Sequence, residues 1–461
     1  MKIIALLLVS AGLSFAGIAR GPILSAESPH EAMIVNFRTD TPCIGQVKYR
    51  EVGTSDWRYL ADSTASANHS IEIALPPFAN FEYVLLADGD STGPHSFWTA
   101  PEPGAMEDFQ FCAYGDSRDW HIAHAVIIEH MMSCDPMFVT NSGDMVGDGN
   151  DNGDWDTFFE IIAEDYDLAR TTPFFYAMGN HDRESAYFYD AVRLPQNPSG
   201  TEEYGSFDWG RIHFFFMNSE IDYSLTSDQY EFLTNDLAEA SVNPDYDFLI
   251  GLVHRPFYSS GYHGREEDMA VALEPLLAAN NVDLVLQGHD HMYERSHPQD
   301  GVIYIVTGGG GAPSSPIIWW LGHCAFGYNF FHHLNFKYVA DEHKLSMFMH
   351  NYDDDIVDSL ILINRPIAVQ EQALPGKHEL RAYPNPFNSY CRICRPPDLK
   401  GEQDIEIYDV SGSLVRRAHL GEGCCFVWWG KDDSGADLPS GVYLAKFVPG
   451  TENAIKLTII K

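Results

Sequence analysis

The stretch VDLVLQGHDHMYERS, residues 282–296, decides how the rest of the chain is read. Val282 to Leu286 is apolar and of strand length, and such a run closed by a glycine reads as a buried strand. Gly288 then lets the backbone turn, so that His289 and His291 leave the strand end together. Two imidazoles so placed suit a metal ion, although the same pattern also occurs as a packed or surface pair.

Four segments upstream repeat the form, an apolar run closed by a glycine or polar residue that carries a ligand-type side chain. They are FQFCAYGDSRD (109–119) with Asp116, MFVTNSGDMVGDG (137–149) with Asp144, FFYAMGNHD (174–182) with Asn180 and His181, and FLIGLVHRP (248–256) with His254. Carboxylates, a carboxamide and imidazoles together suit divalent first-row metals or ferric iron. Asp116, Asp144, Asn180, His254, His289 and His291 are too many for one ion, so two ions about 3.5–4 Å apart are expected.

In this order the segments resemble the calcineurin-like metallophosphoesterases and, within them, the purple acid phosphatases. The resemblance spans Asp108 to about Asn364, and GHDHMYERS is especially close to the purple acid phosphatase form. It implies an α/β fold, a four-layer sandwich of two sheets between helices, with two metal ions of the iron, zinc or manganese kind. It also implies roles: Asp144 bridges the metals, Asp116 and His291 bind the first, and Asn180, His254 and His289 bind the second. His181 is then the outer-shell acid or phosphate contact, and His263, nine residues after His254, matches a substrate-contacting histidine. The implied activity is hydrolysis of phosphomonoesters by attack of a metal-bound hydroxide. Phosphodiester hydrolysis on nucleotides or lipid head groups, and a surface binding protein with an inactive phosphoesterase domain, are the alternatives.

The chain leaves the pattern at several places. Arg118 stands where the simpler phosphoesterases have a histidine, Gly147 where the purple enzymes have their colour-giving tyrosine, and Gly264 where they have a second histidine. Arg118 either holds a phosphate oxygen with its fork of donors or pairs with Asp119 or Glu294. The first metal is completed by water or by Asp148. Trp319 and Trp320 form a lid or pack internally, and packing is the reading preferred here.

Outward from this region, Ala19 to Glu102 alternates short strands with turn residues and predicts an all-β sandwich, similar to the fibronectin-III-like domain that precedes the catalytic domain in purple acid phosphatases. PEPG at 101–104 marks its boundary, so the domains are expected at 20–103 and 104–365. Helices are predicted from His121 to Cys134, Asp154 to Arg170, Ser227 to Ala240 and Met269 to Asn280. The acidic run Asp148 to Asp156 lacks EF-hand spacing and reads as a solvated loop. Residues 366–380 read as a linker. Beyond it, AYPNPFNSY and SGVYLAKF within 381–461 resemble the C-terminal sorting domains of proteins exported by the type IX (Por) machinery, close to a FlgD-like β-sandwich.

Residues 1–19 read as a secretory signal, cleaved after Ala16 or Ala19, and no later run is long and apolar enough to span a bilayer. Secretion or attachment to a bacterial cell surface by way of the periplasm is therefore expected. Export makes disulfides possible among the eight cysteines, whose pairing the sequence leaves open, and Cys391 and Cys394 read as structural. A formal net charge of −38 argues against nucleic acid as a surface-wide partner, so a phosphate ester must be drawn in by metals and a few arginines.

Overall fold

A computed structural model describes residues 16–317, 321–364, 381–383, 390–394, 403–409, 412–420, 425–448 and 455–459. Residues 1–15 of the expected leader, Trp319 and Trp320, the expected linker at 366–380 and the PNPFN motif lie outside the described residues. The chain divides into two units, Met1–Pro366 and Ile367–Lys461. No helix among the described residues is long and apolar enough to cross a membrane.

The first unit begins with two antiparallel sheets. One joins Ile18–Ser25, Ala32–Cys43 and Ser66–Ala74, and the other joins Arg58–Ala61, Gly45–Glu51, Asn80–Ala87 and Asp90–Trp98. Strict alternation produces this arrangement: along Asn80–Ala87 every second residue is buried, so one face packs inward and the other meets solvent.

Two larger sheets follow. The six-stranded sheet runs in the order Phe174–Tyr176, Phe138–Asn141, Phe109–Tyr114, His332–Val339, Lys344–Asn351, Ile356–Ile363. The seven-stranded sheet runs Gly205–Trp209, Ile212–Phe216, Phe248–Leu252, Leu284–Gln287, Ile303–Thr307, Tyr293–Ser296, Cys324–Tyr328. Aromatic side chains join their facing sides: Phe111 stacks on Phe138 at 4.7 Å and on Phe336 at 4.5 Å, and meets Phe214 edge-on at 5.4 Å. Rings of this size bury enough apolar area to contribute roughly 2–3 kcal/mol each. Helices Asp228–Ala240 and Glu267–Ala279 add Leu233, Leu237, Leu273 and Leu277 to a second core with Phe215, Leu249 and Val285 of the seven-stranded sheet.

Three of the predicted helices form almost as expected, as His121–Ser133, Asp228–Ala240 and Glu267–Ala279, the last starting two residues early. The fourth does not run unbroken from Asp154 to Arg170. It starts at Asn152, widens to a π-helix over Glu160–Asp165, and stops at Asp167, which is left-handed at φ 54°. Its neighbours explain the break, because the Gly21 amide donates to Glu164 and the Tyr83 hydroxyl to the Arg170 carbonyl, tying this end to the first sheets. The acidic run before it is also not simply a solvated loop. Asp151 caps the helix, and Asp156 pairs with Arg20 at 3.4 Å and Arg38 at 2.8 Å.

The second unit has a three-stranded sheet (Arg381–Tyr383, Cys391–Cys394, Cys425–Trp428) and a four-stranded sheet (Leu414–Leu420, Gln403–Asp409, Gly441–Val448, Ile455–Ile459). Ile393, Ile405, Ile407, Trp428, Tyr443 and Leu457 form its core. Among the described residues Cys43, Cys112, Cys134 and Cys324 are free thiols.

Candidate metal centre

The parallel strands Phe109–Tyr114, Phe138–Asn141 and Phe174–Tyr176 of one sheet, and Phe248–Leu252 and Leu284–Gln287 of the other, end at a common edge. Loops at the carboxyl ends of such strands are where α/β sheets hold ligands. Asp116, Asp144 and His291 place ligand-type atoms within 4.8 Å of one another, and so do Asp144, His254 and His289. Asp144 belongs to both groups. All five are buried, and Asn180 stands beside them with its Oδ1 3.2 Å from His254 Nε2.

The local backbone is unusual. Asp116, Asp144 and His289 have φ of 53°, 54° and 70°, the left-handed region that costs a non-glycine residue on the order of 1 kcal/mol. The turn in GHDH therefore falls on His289, not on Gly288. Gly288 serves by clearance, since a Cβ there would meet Asp116 Oδ2 at 2.6 Å.

Hydrogen bonds settle which nitrogens carry protons. His254 Nδ1 donates to the Ser142 carbonyl at 2.9 Å, leaving the lone pair of Nε2 facing Asn180 Oδ1 and, at 3.3 Å, Asp144 Oδ1. Acceptor facing acceptor in a buried place is repulsive unless a cation stands among them, so this half of the donor set fits a metal ion. His291 Nδ1 donates to the Pro313 carbonyl at 2.8 Å, and its Nε2 lone pair lies 3.5 Å from Asp116 Oδ1. Here the Arg118 guanidinium already approaches, with Nη2 3.3 Å from His291 Nε2 and Nε 3.4 Å from Asp144 Oδ2.

Burial lowers the pKa of His289 and does the same to His291, keeping both imidazoles neutral with a lone pair to offer a metal. Two buried carboxylates this close resist joint ionisation. Asp116 is pushed well above the carboxylate range, by burial first and Asp144 next; burial opposes ionisation of Asp144 too, but the His181 amide and the Arg118 guanidinium hold it below the usual range.

The remaining expected residues are placed as follows. His181 donates its backbone amide to Asp144 Oδ1 at 2.9 Å and its Nδ1 to the Gly147 carbonyl at 2.7 Å. His263 lies over His289 with ring centres 3.9 Å apart. Arg118 pairs with Asp119 at 2.5 Å; Glu294 is taken instead by Ser260 and His323. Asp148 is exposed and pairs with Arg183 at 2.8 Å. Gly147 lines a cavity of about 350 Å³ with Arg118, Trp120 and Asp154.

Two residues that the sequence reading passed over hold the loops in shape. Asp182 accepts from the amides of Asp144, Met145 and Gly179 at 2.8–2.9 Å. Asp290 accepts from the amides of His263 at 2.9 Å and Gly264 at 3.2 Å and from the Ser259 hydroxyl. The only signal for either was its position beside a ligand, in GNHD and GHDH.

Comparison with known proteins agrees with this geometry. Residues 119–293 match the model of the family Calcineurin-like phosphoesterase. The chain carries a calcineurin-like phosphoesterase domain. It is 35% identical over 176 residues to purple acid phosphatase 18 of Arabidopsis thaliana, covering 34% of this chain and 39% of that protein. It is 27% identical over 237 residues to probable inactive purple acid phosphatase 9 of the same plant, covering 41% and 36%. The chain thus spans under two fifths of the length of these curated relatives. Among solved structures, purple acid phosphatase PPD1 from yellow lupin (Lupinus luteus) seeds superposes with a TM-score of 0.64 at 19% identity, covering 74% of each chain. PhoD superposes with 0.61 at 11% identity, covering 77% of this chain and 91% of its own. These two likenesses establish the metallophosphoesterase α/β fold. Asp116 and Arg118 lie just ahead of the family match, in the loop where the chain departs from pattern.

Proposed function

We propose that this protein is a binuclear metal-dependent phosphatase that hydrolyses phosphomonoesters and works outside the cytoplasm. The observation that carries the proposal is the convergence of Asp144 Oδ1, Asn180 Oδ1 and His254 Nε2 without a positive side chain among them. Asp144 is the bridging ligand, Asp116 and His291 complete the first position, and Asn180, His254 and His289 the second. Two cations held there would supply Lewis acidity, making bound water more acidic and offsetting charge that grows on the phosphoryl group.

The chain's own residues do the rest. His181 has Nδ1 committed to the Gly147 carbonyl, so Nε2 is the atom that holds or passes a proton at the leaving oxygen. Arg118 offers a planar fork to a phosphate oxygen on the side of the first position, and His263 faces the second beside His289. Asp182 and Asp290 keep these loops in their unusual backbone shape.

Export rests on the leader and on residues 381–461, which fit handling by the type IX machinery. Cleavage after Ala16 leaves the strand Ile18–Ser25 whole, whereas cleavage after Ala19 removes two of its residues. Fractionation of cells making full-length chain or chain lacking 381–461 tests this; an unchanged distribution defeats it. For the activity, the test is metal analysis of the purified full-length protein together with turnover of an aryl phosphate monoester and the matching diester across pH. Protein with two metals bound and no turnover of either ester refutes the proposal, and preference for the diester replaces phosphomonoesters with diesters.

A further inference from the structure

The six-stranded sheet carries a second gathering of ligand-type side chains, which shares no residue with the edge centre. Phe111 and Phe336 stack within the interior between the sheets. Side chains alternate along a strand, so Cys112 and His333 point to the opposite face, the one on the side of the helix His121–Ser133. Cys134 directly follows that helix, and His350 sits across from His333 in the strand register.

Cys112, Cys134 and His333 bring ligand-type atoms within 4.8 Å of one another, and His333, His350 and Asp354 form an overlapping trio. Cys134 Sγ is 3.8 Å from His333 Nε2. Bond lengths of about 2.0–2.3 Å place the ligand atoms of a tetrahedral zinc ion roughly 3.3–3.8 Å apart, so this separation suits one ion between them. His333 is fully buried, and its Nδ1 has no hydrogen-bond partner. Its ring stacks on His350 with centres 4.9 Å apart. His350 Nδ1 donates to Asp354 Oδ1 at 2.8 Å, which leaves the Nε2 lone pair as the donor; a carboxylate behind an imidazole is the usual support of a metal-binding histidine.

We propose that Cys112, Cys134 and His333 bind a thiophilic divalent cation of the zinc class, and that His350, which stacks on His333 but stands outside the Cys112, Cys134 and His333 trio, turns in as the fourth ligand with Asp354 behind it. Two sulfurs and two imidazoles match the donor preference of zinc, and a set of four protein ligands is a closed, structural site. Such an ion ties the end of one helix to three adjacent strands. A disulfide between Cys112 and Cys134 is the rival chemistry. It would leave the buried His333 imidazole with both nitrogens poorly satisfied, which is why the ion is the better reading.

The test uses full-length protein, kept reduced and loaded with cobalt(II) in place of zinc. Thiolate-to-cobalt charge transfer in the near ultraviolet is expected in the wild type and in Asp144→Ala, and its loss in Cys134→Ser, together with one equivalent of metal. Cys134 is partly exposed at the end of its helix. Should its variant fail to fold, titration of wild-type thiols with an organomercurial should release one equivalent of zinc to a chromophoric chelator. Absence of the charge-transfer band or of zinc release, survival of the band in folded Cys134→Ser, its loss in Asp144→Ala, or a Cys112–Cys134 disulfide in peptides mapped without reduction would overturn the proposal.

Discussion

In the Asn180, His254 and His289 half of the edge centre, lone pairs face Asp144 with no cationic side chain between them; in the Asp116 and His291 half, Arg118 stands against both His291 and Asp144. The two halves share a carboxylate and the same type of loop, yet differ in what balances their charge. A half whose acceptors repel one another gains the full benefit of an ion. A half that already holds a guanidinium makes an ion compete with it, so the Asp116 and His291 position should release its metal first under a chelator.

The harshest way to break this comparison is to remove the residue common to both halves. Asp144→Ala is expected to cost at least one metal equivalent and to lower turnover by about a thousandfold or more, because two neighbouring cations lose the charge that shields them. Metal stoichiometry and turnover measured together check it, and full metal with near-normal turnover would remove Asp144 from the bridging role. Arg118→Ala is the next test, and touches one half only. It should lower kcat/KM by about tenfold to a thousandfold without loss of metal, and weaken inhibition by free phosphate in parallel. Arg118→Lys should recover part of this, since an ammonium keeps the charge but not the fork. Unchanged kinetics in the alanine variant would reduce Arg118 to a partner of Asp119.

A histidine outside the centre sharpens the contrast. At the centre burial keeps His289 and His291 neutral, whereas His213, also buried, is bracketed by Asp208 at 2.8 Å and Asp236 at 3.0 Å. Burial alone would lower its pKa, but these two carboxylates raise it to about 9. A raised folded-state pKa gives stability that is complete below the unfolded value near 6.5 and is lost as pH climbs through about 9; the whole effect is at most about 3 kcal/mol. Unfolding midpoints of wild type should therefore fall between those pH values, and those of His213→Gln should fall less; parallel curves would contradict the charge assignment. The smallest expected signal is spectroscopic. Iron-loaded protein should lack an intense band between green and red, because Gly147 offers no phenolate and Tyr293 is buried with its hydroxyl donated to Asp358 at 2.7 Å. A strong band would place another tyrosine on the metal.

The sequence by itself determined the ligand-bearing loops and most of the strands and helices around them. Apolar runs closed by Gly-Asp, Gly-Asn-His or Gly-His-Asp-His are local patterns, and a strand end projects its loop wherever the strand lies in the sheet. Only the tertiary structure decided who meets whom. It paired Arg118 with Asp119, Asp144 and His291 and gave Glu294 to Ser260 and His323. It gave Asp182 and Asp290 the amides of distant loops, and it set Cys112 and Cys134 beside His333, some two hundred residues along the chain. Such meetings depend on sheet order and register, which bring together residues remote in the chain, and a burial pattern does not encode them one residue at a time.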